Sequence, residues 1–410
     1  MKGYGGHPYS RAYLHEKLNV RKSKYHTVMK RTIISLSLSL LCIATFAQPR
    51  QVDRDNPSML RFPVISTRTE VILPQVNGYN VIKADLHVHT IYSDGNLTSS
   101  SRIDEAWRDG LDAIAITDHI ECRLNVDAFE EYLGKNLEGA DVKAEGSLTD
   151  MNYSVRGAER TARQMGITLI PGIEITRSPM KVGHFNALFT TDNNLIPDDD
   201  PLQAIRNAKK QNAIVQINHP GWARPNNDYT SVAEAAIKEG LIDGVEVFNS
   251  YEFYPEVVER AVNAGYYVSC GSDLHITSHE RYGHYGKFRD MVLILAKDSS
   301  PAAIREALEH QRTLAYAYGD IAGSEPLLID FFKAACSCKV LSVGSKGDKV
   351  VQITNNSSFP YVLTLPGLSF DVTLEGFTSI VYTTSEEKIP VTVTNMWYGD
   401  GKHPALELTW

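Results

Sequence analysis

The sequence predicts an α/β barrel followed by a small all-β domain, and three observations carry that prediction. Short apolar runs alternate with helical patterns from Val81 to Gln311, the rhythm of a parallel sheet covered on its outside by helices. Beyond about residue 325 this rhythm gives way to short β-rich runs separated by Gly, Asn, Ser and Pro. The histidines fall largely at the ends of predicted strands, where barrels carry their functional groups.

In chain order, residues 1–28 are basic and polar and read as an upstream extension ahead of the true start, Met29. Met29-Lys30-Arg31 then precedes an apolar run, Thr32 to Ala47, too short to span a bilayer and ending in small residues before Gln48. The segment 29–47 is therefore expected to be a signal peptide cleaved after Ala47, because its positive flank argues against a buried core helix. Lipid attachment at Cys42 is disfavoured by the bulky Leu40 and Leu41 before it. The mature protein is then secreted or periplasmic, with no membrane attachment after cleavage. Removing residues 1–47 takes away eight Lys or Arg and one acid, leaving 33 basic and 48 acidic residues, a net of −15. Such a surface repels nucleic acid. Four cysteines remain, at 122, 270, 336 and 338, too few for a disulfide framework in so long a chain. Cys270 lies in an apolar strand pattern and reads as a buried free thiol.

Residues 48–80, rich in Pro, Asn and Arg, read as a leader lying over the surface. Within 81–324, strands are expected at 81–87, 113–117, 167–175, 184–189, 213–218, 243–248, 266–271 and 291–296. Helical patterns occupy Ser101–Arg108, Val155–Met165, Pro201–Gln211, Ser231–Glu239, Glu256–Ala264 and Pro301–Gln311. Pro201 and Pro301 suit first-turn positions, and Gly110, Gly166, Gly240 and Gly265 suit helix stops. Seven or eight such units over about 230 residues point to a closed or nearly closed barrel. An open doubly wound sheet stays possible, although no Gly-rich dinucleotide fingerprint follows any strand. The interval 121–152 has no clear period and reads as a loop over the barrel mouth. Residues 325–410 read as an antiparallel sheet or small sandwich with no helix, expected to pack on the barrel or to join two subunits as a homo-oligomer.

The chemistry gathers around Asp85-Leu86-His87-Val88-His89 and Ser93-Asp94-Gly95. Alternation along a strand puts His87 and His89 on one side, facing one point, with Asp94 close behind. A His-x-His alone reads equally well as surface histidines at a strand end. The pattern recurs, however, at Asp118-His119, Glu174, His184, His219 and Asp273-Leu274-His275. Imidazole and carboxylate together suit zinc, manganese or iron and match copper-thiolate or calcium sites poorly. Without cations, so many converging acids would repel one another.

These motifs, His-x-His with Ser-Asp-Gly, Thr117-Asp118-His119, Gly172-Ile173-Glu174-Ile175 followed by Gly183-His184-Phe185-Asn186, Asn218-His219-Pro220 and Ser272-Asp273-Leu274-His275, stand in order over residues 82–275. The set resembles the PHP (polymerase and histidinol phosphatase) family of metal-dependent phosphoesterases, and its exported, β-domain-bearing form resembles the branch that includes bacterial phosphodiesterases. The resemblance implies a distorted seven-stranded (β/α)7 barrel, TIM-like, with two or three divalent ions (Zn, Mn or Fe) at its mouth. It further implies that His87, His89, Glu174 and Asp273 hold one ion, and that Glu174, His184 and His219 hold a second, bridged by Glu174. Asp94, His119 and His275 would hold a third. The spacing between Glu174 and His184 is shorter than in some members, which makes His184 the odd ligand. Asp118 is expected to orient His119 or a neighbouring imidazole.

Three acids against three divalent ions leave roughly +3, a field that draws in an anionic phosphoester. A hydroxide bridging the first two ions would form at a pKa of roughly 7 and attack phosphorus in line. Asp273, His275 and Asp94 are the candidate catalytic groups, moving a proton at the rim where the leaving group needs one. Arg177, three residues past Glu174, is the favoured phosphate fork; Arg224 and Arg281 are weaker candidates, and a solvated arginine is the plainer reading of each. Trp222 would stack an aromatic leaving group, and Asn249 would hydrogen-bond substrate at a strand end; core or rim packing is the plainer reading of Trp222, and a turn is an equal reading of Asn249. The expected partner is a small phosphodiester or phosphomonoester. Two other functions compete. A C–N or lactone hydrolase of the amidohydrolase type would be favoured by a metal-carboxylated lysine, yet no Lys stands at a predicted strand end. A non-catalytic metal-binding module predicts missing ligands, whereas the set here is complete.

Overall fold

The computed structural model describes residues 51–52, 60–61, 67–122, 150–176, 181–283 and 286–410. The chain forms two compact units, Met1–Ser66 and Thr67–Trp410. In the first, Gln51–Val52 pairs antiparallel with Leu60–Arg61. The expected signal peptide, most of the expected loop 121–152 and Arg177 lie outside the described residues.

In the second unit, seven strands neighbour one another in space in the order they occur in sequence: β1 (Asn80–Asp85), β2 (Ala113–Ile116), β3 (Thr168–Thr176), β4 (His184–Leu188), β5 (Ile214–Asn218), β6 (Gly244–Asn249) and β7 (Tyr267–Gly271). Strands β2, β4, β5, β6 and β7 are buried along their whole length, the two-sided burial that their near-continuous apolar runs require. The sheet curls until the chain beyond β7 meets the chain beyond β1. There Val88 and Leu274 form a parallel bridge, and the Asp273 and His89 amides donate to His87 O and Leu274 O.

Helices α1 (Ser99–Arg108), α2 (Tyr153–Met165), α3 (Pro201–Lys210), α4 (Ser231–Lys238), α5 (Pro255–Asn263), α6 (Ser278–Tyr282) and α7 (Pro301–Glu309) fill most connections. Their starts follow from capping side chains, since Thr98, Asp200, Thr230, Thr277 and Ser300 each accept a first-turn amide. The four glycines read as helix stops all have positive φ, from +68° to +90°.

Two features depart from an all-parallel barrel. Strand β4 runs antiparallel to both β3 and β5, because the seven residues between Thr176 and His184 are too few for the crossover that a parallel neighbour needs. On the other flank of β1, strands β8 (Met291–Ala296), β9 (Thr313–Ala317) and β10 (Asp320–Ala322) continue the sheet antiparallel. The leader also departs from expectation, since Val71 and Val76 are buried in the core.

A helix that the β-rich rhythm concealed, α8 (Glu325–Ala335), leads into the tail, burying Leu328, Phe331, Phe332 and Ala335 on one face. The tail carries β11 (Cys336–Val343), β12 (Lys349–Asn355), β13 (Tyr361–Thr364), β14 (Val372–Leu374), β15 (Ser379–Thr384), β16 (Ile389–Val393), β17 (Met396–Trp397) and β18 (Ala405–Leu408). Three of these form one sheet, β11-β12-β15, and four another, β14-β13-β16-β18. Strand β17 instead joins the barrel sheet beside β10. Phe359 of the tail stacks on Tyr316 of β9 with centroids 4.0 Å apart, so one apolar cluster spans both parts. Replacing the wholly buried Phe359 by Ala is expected to cost about 3–5 kcal/mol, measured as a lowered midpoint in guanidinium unfolding.

Candidate metal centre

The strand ends deliver the side chains to one place. His87 and His89 follow β1 on extended backbone, and both are fully buried with their Nε2 atoms 3.1 Å apart. Asp94 lies on the next turn, held close by Gly95, where a Cβ would stand 2.6 Å from His89 O. His119 follows β2 and bridges Glu174 of β3 through the backbone. Register then sets His184, the first residue of β4, opposite Thr176 and Asn218. His219 follows β5, and Asp273 and His275 follow β7. The backbones of His219 (φ +24°) and Asp273 (φ +51°) lie in the left-handed region, strain of a kind that gathers at functional sites.

The buried Glu174 carboxylate sits among five imidazoles. Its Oε1 lies 3.4 Å from His87 Nε2, 3.4 Å from His184 Nδ1 and 3.6 Å from His219 Nε2. Its Oε2 lies 2.6 Å from His119 Nδ1 and 3.8 Å from His89 Nε2. Asp273 Oδ1 is 2.9 Å from His89 Nε2 and 3.4 Å from His87 Nε2, while Asp94 is 3.2 Å from His275 Nε2 and 3.5 Å from His119 Nε2. Three sets have donor atoms close enough to share an ion: His87, His89 and Asp273; His87, Glu174 and His219; and His89, Asp94, His119 and His275.

The residues fit divalent ions. Donors bonded at 2.0–2.2 Å around a tetrahedral ion stand about 3.4 Å from one another, and six of the separations above fall between 3.2 and 3.6 Å. In addition, the buried His89 Nδ1 and Asp94 Oδ1 face each other at 4.0 Å with no hydrogen-bond partner. Electrostatics agree. In the metal-free protein burial opposes charge throughout, yet Glu174 and Asp94 push His119 up to about 11. Asp273, Glu246 and Glu174 hold His87 well above its usual value, and His219 and His275 are raised by their carboxylate neighbours. Burial and the adjoining His119 and His275 instead push His89 down to about 4. Burial likewise opposes the charge on Glu174 and Asp273, but the surrounding imidazoles hold both well below the carboxylate range. Protons on imidazole thus do the work that cations would do.

Around these groups stands a second layer that the sequence reading missed. Glu246, in the middle of β6, accepts from His87 Nδ1 at 2.8 Å, from the His219 amide at 2.8 Å and from Asn249 Nδ2 at 2.9 Å. The bond to Nδ1 leaves Nε2 of His87 facing the centre. A Cβ on Gly271 would collide with Glu246 Oε1 and His87 Cβ, so glycine there makes room for the pair. Asn218 donates to Glu174 Oε1 at 2.8 Å. The fully buried Arg102 donates to the carbonyls of His89, Leu274 and Ile276, tying the chain beyond β1 to the chain beyond β7. Arg289 pairs with Asp85, whose carboxylate accepts the His87 amide. An acid inside an apolar strand, as at Glu246, was the available signal.

The structure brings together all nine expected ligands: His87, His89, Asp94, His119, Glu174, His184, His219, Asp273 and His275. It adds His89 to the third group, where Asp94, His119 and His275 were expected alone; the second group holds His87 in the place expected of His184, and the first lacks the expected Glu174. Trp222 is 43% exposed and its ring lies 5.6 Å from His184 and 5.4 Å from His219, at the edge of the centre. Asn249 is buried and its amide is used on Glu246. Asp118 orients no imidazole; it accepts from Thr90 N and Oγ1 and from Ser93 Oγ, pinning the turn that carries Asp94. Arg224 donates to Pro220 O, and Arg281 bonds Ser250 and lies over the Tyr251 ring.

The sequence profile of the PHP domain matches residues 85–323. The chain belongs to the PHP domain family. A solved structure from Bacteroides vulgatus, a two-domain protein described as containing a predicted PHP-like metal-dependent phosphoesterase, is 30% identical; the match covers 85% of this chain and 100% of that one, with a TM-score of 0.75. A provisionally assigned metal-dependent phosphoesterase from Bifidobacterium adolescentis is 18% identical over 56% of this chain and 96% of its own, with a TM-score of 0.35. An amidohydrolase from Chromobacterium violaceum is 17% identical over 57% and 98%, also with a TM-score of 0.35. No curated protein matches.

Two outcomes are expected of this PHP domain. Glu246→Gln should weaken metal affinity roughly 10–100-fold, read by competition with a chelator. Because carboxylate neighbours raise the pKa values of His87, His119, His219 and His275 in the metal-free form, loading is expected to release protons, and apparent affinity should rise with pH. Calorimetry in buffers of different ionisation enthalpy measures that release.

Proposed function

We propose that this protein is an exported metal-dependent phosphoesterase that hydrolyses small phosphodiesters or phosphomonoesters. The observation that carries the reading is Glu174, a fully buried carboxylate within 4 Å of five imidazoles, His87, His89, His119, His184 and His219. Divalent ions (Zn, Mn or Fe) held by His87, His89, Glu174 and Asp273, by Glu174, His184 and His219, and by Asp94, His119 and His275 would supply a water nucleophile near neutral pH and positive charge for phosphoryl oxygens.

The chain's own residues divide the remaining work by exposure. His87, His89 and Glu174 are the closed floor, while the side chains of Asp94 (23%), Asp273 (20%) and His275 (34%) open to solvent. Substrate therefore arrives on the side of Asp94, Asp273 and His275. Backbone Asp273 O accepts from His275 Nδ1 at 2.9 Å, which aims Nε2 at Asp94; that nitrogen would hold the third ion, and with only two ions bound it would instead be placed to pass a proton to the departing oxygen. Trp222, half exposed beside His184 and His219, gives the leaving group an apolar face. The net charge of −15 after residue 47 supports a small substrate over a nucleic acid, and the apolar run after Met29 supports export.

The test is a screen of phosphomonoesters and phosphodiesters, bis(p-nitrophenyl) phosphate among them, with protein lacking residues 1–47 and loaded with Zn, Mn or Fe. Phosphoester hydrolysis that requires metal is expected, with Glu174→Ala losing turnover and the two ions that Glu174 would bridge. Turnover of amides or lactones without phosphoesters, or full activity in Glu174→Ala, would overturn the reading.

A further inference from the structure

The two sheets of the tail end in four edge strands, and three of these carry features that block pairing with another chain. Strand β14 is only three residues long. Strand β18 is four, and its Glu407 is a charge paired with Lys388. Strand β11 carries Lys339 and a break in register between Val340 and Ser342. Strand β15 has none of these features. Its six residues, Ser379 to Thr384, contain no charge, proline or glycine, and they pair with β12 without a register shift. β12 is its one neighbour in the sheet, and on its other side none of its amides or carbonyls bonds to backbone among the described residues.

The side chains of β15 say which strand fits there. Ile380 and Tyr382 are half-buried against the apolar cluster of the tail, while Ser379, Val381 and Thr383 are exposed, Val381 by 60%. An added strand must keep that alternation, apolar on the inner face. A second β15, run antiparallel about a two-fold axis at Val381, keeps it throughout. Val381 then meets Val381, Ile380 meets Tyr382 and Ser379 meets Thr383, each pair on one face. These are β-branched, aromatic and hydroxyl pairs of the kind that stabilise antiparallel ladders, and no like charges stand opposite within the strand. We propose that β15 is the seam of a homodimer, in which β11-β12-β15 of one copy runs on into β15-β12-β11 of a second copy as one six-stranded antiparallel sheet. The two-fold pairing is isologous and so closes at two chains. It is independent of what the metal centre hydrolyses.

Analytical ultracentrifugation of the full chain over a concentration series tests this. A dimer that dissociates on dilution is expected. Val381→Lys sets a cation against its own copy and should weaken the dimer at least about tenfold, as should Thr383→Lys on the same exposed face. Val381→Glu should do likewise, and an equal mixture of Val381→Lys and Val381→Glu should recover the dimer, because residue 381 then meets the opposite charge. Leu341→Lys, at an exposed position on the far edge strand β11, should leave the dimer intact. These sites are exposed, so the unfolding midpoint of each variant should stay near that of the parent. A parent chain that stays monomeric at every concentration overturns the proposal, even where the edge pairs with some other protein. So does a dimer that survives Val381→Lys and Thr383→Lys, one that Leu341→Lys breaks, or a Lys and Glu mixture that stays monomeric.

Discussion

The protein is organised around one electrostatic constraint, a dense group of acids and imidazoles enclosed where water cannot screen them. Glu174 is fully buried and Asp273 and Asp94 are partly so, each within about 3.5 Å of the imidazoles that surround them. Unneutralised carboxylates in such a place would cost several kcal/mol each. The arrangement stands because positive charge enters it, as protons in the metal-free form and as divalent ions in the loaded one. Every nearby element serves either to supply that charge or to hold the acids against their repulsion.

The barrel is suited to this because its strand ends converge. Six of the seven consecutive strands carry ligands at or just beyond an end, β6 supplies Glu246 behind them, and the curl joins the first strand to the last through Val88 and Leu274. Arg102 and the Asp85–Arg289 pair sit beneath that junction, bonding to the backbone of the very segments that carry His87, His89 and Asp273. Their bonds are buried, so they hold the ligand-bearing loops without the screening that weakens surface ion pairs. Placing the ligands costs backbone strain at His219 and Asp273, and Glu246 offsets part of it by bonding the His219 amide.

Much of this was legible in the sequence. Strand-terminal His and acid motifs in a fixed order pointed to the nine residues that converge, because the side-chain chemistry and the strand ends are both written locally. What the sequence hid depends on long-range geometry. The reversed direction of β4 follows from the short seven-residue connection after Thr176, which leaves no room for a crossover. Asn249 reads as a mouth residue, but strand register turns it inward to Glu246, and Asp118 reads as an imidazole partner, but the fold sets it against Thr90 and Ser93. The helix at Glu325–Ala335 was written plainly in Leu328, Phe331, Phe332 and Ala335, yet its β-rich surroundings masked it.

The two-residue strand Met396–Trp397 lies parallel to β10 at the end of the barrel sheet, with the Ile321 and Gly323 amides donating to Asn395 O and Trp397 O. Without it, β10 would present a row of open backbone donors and acceptors, the template on which other chains stack. The tail thus works as a guard against sticking between molecules. Protein cut short before Asn395 would be expected to come out of solution even with every ligand of its metal centre intact.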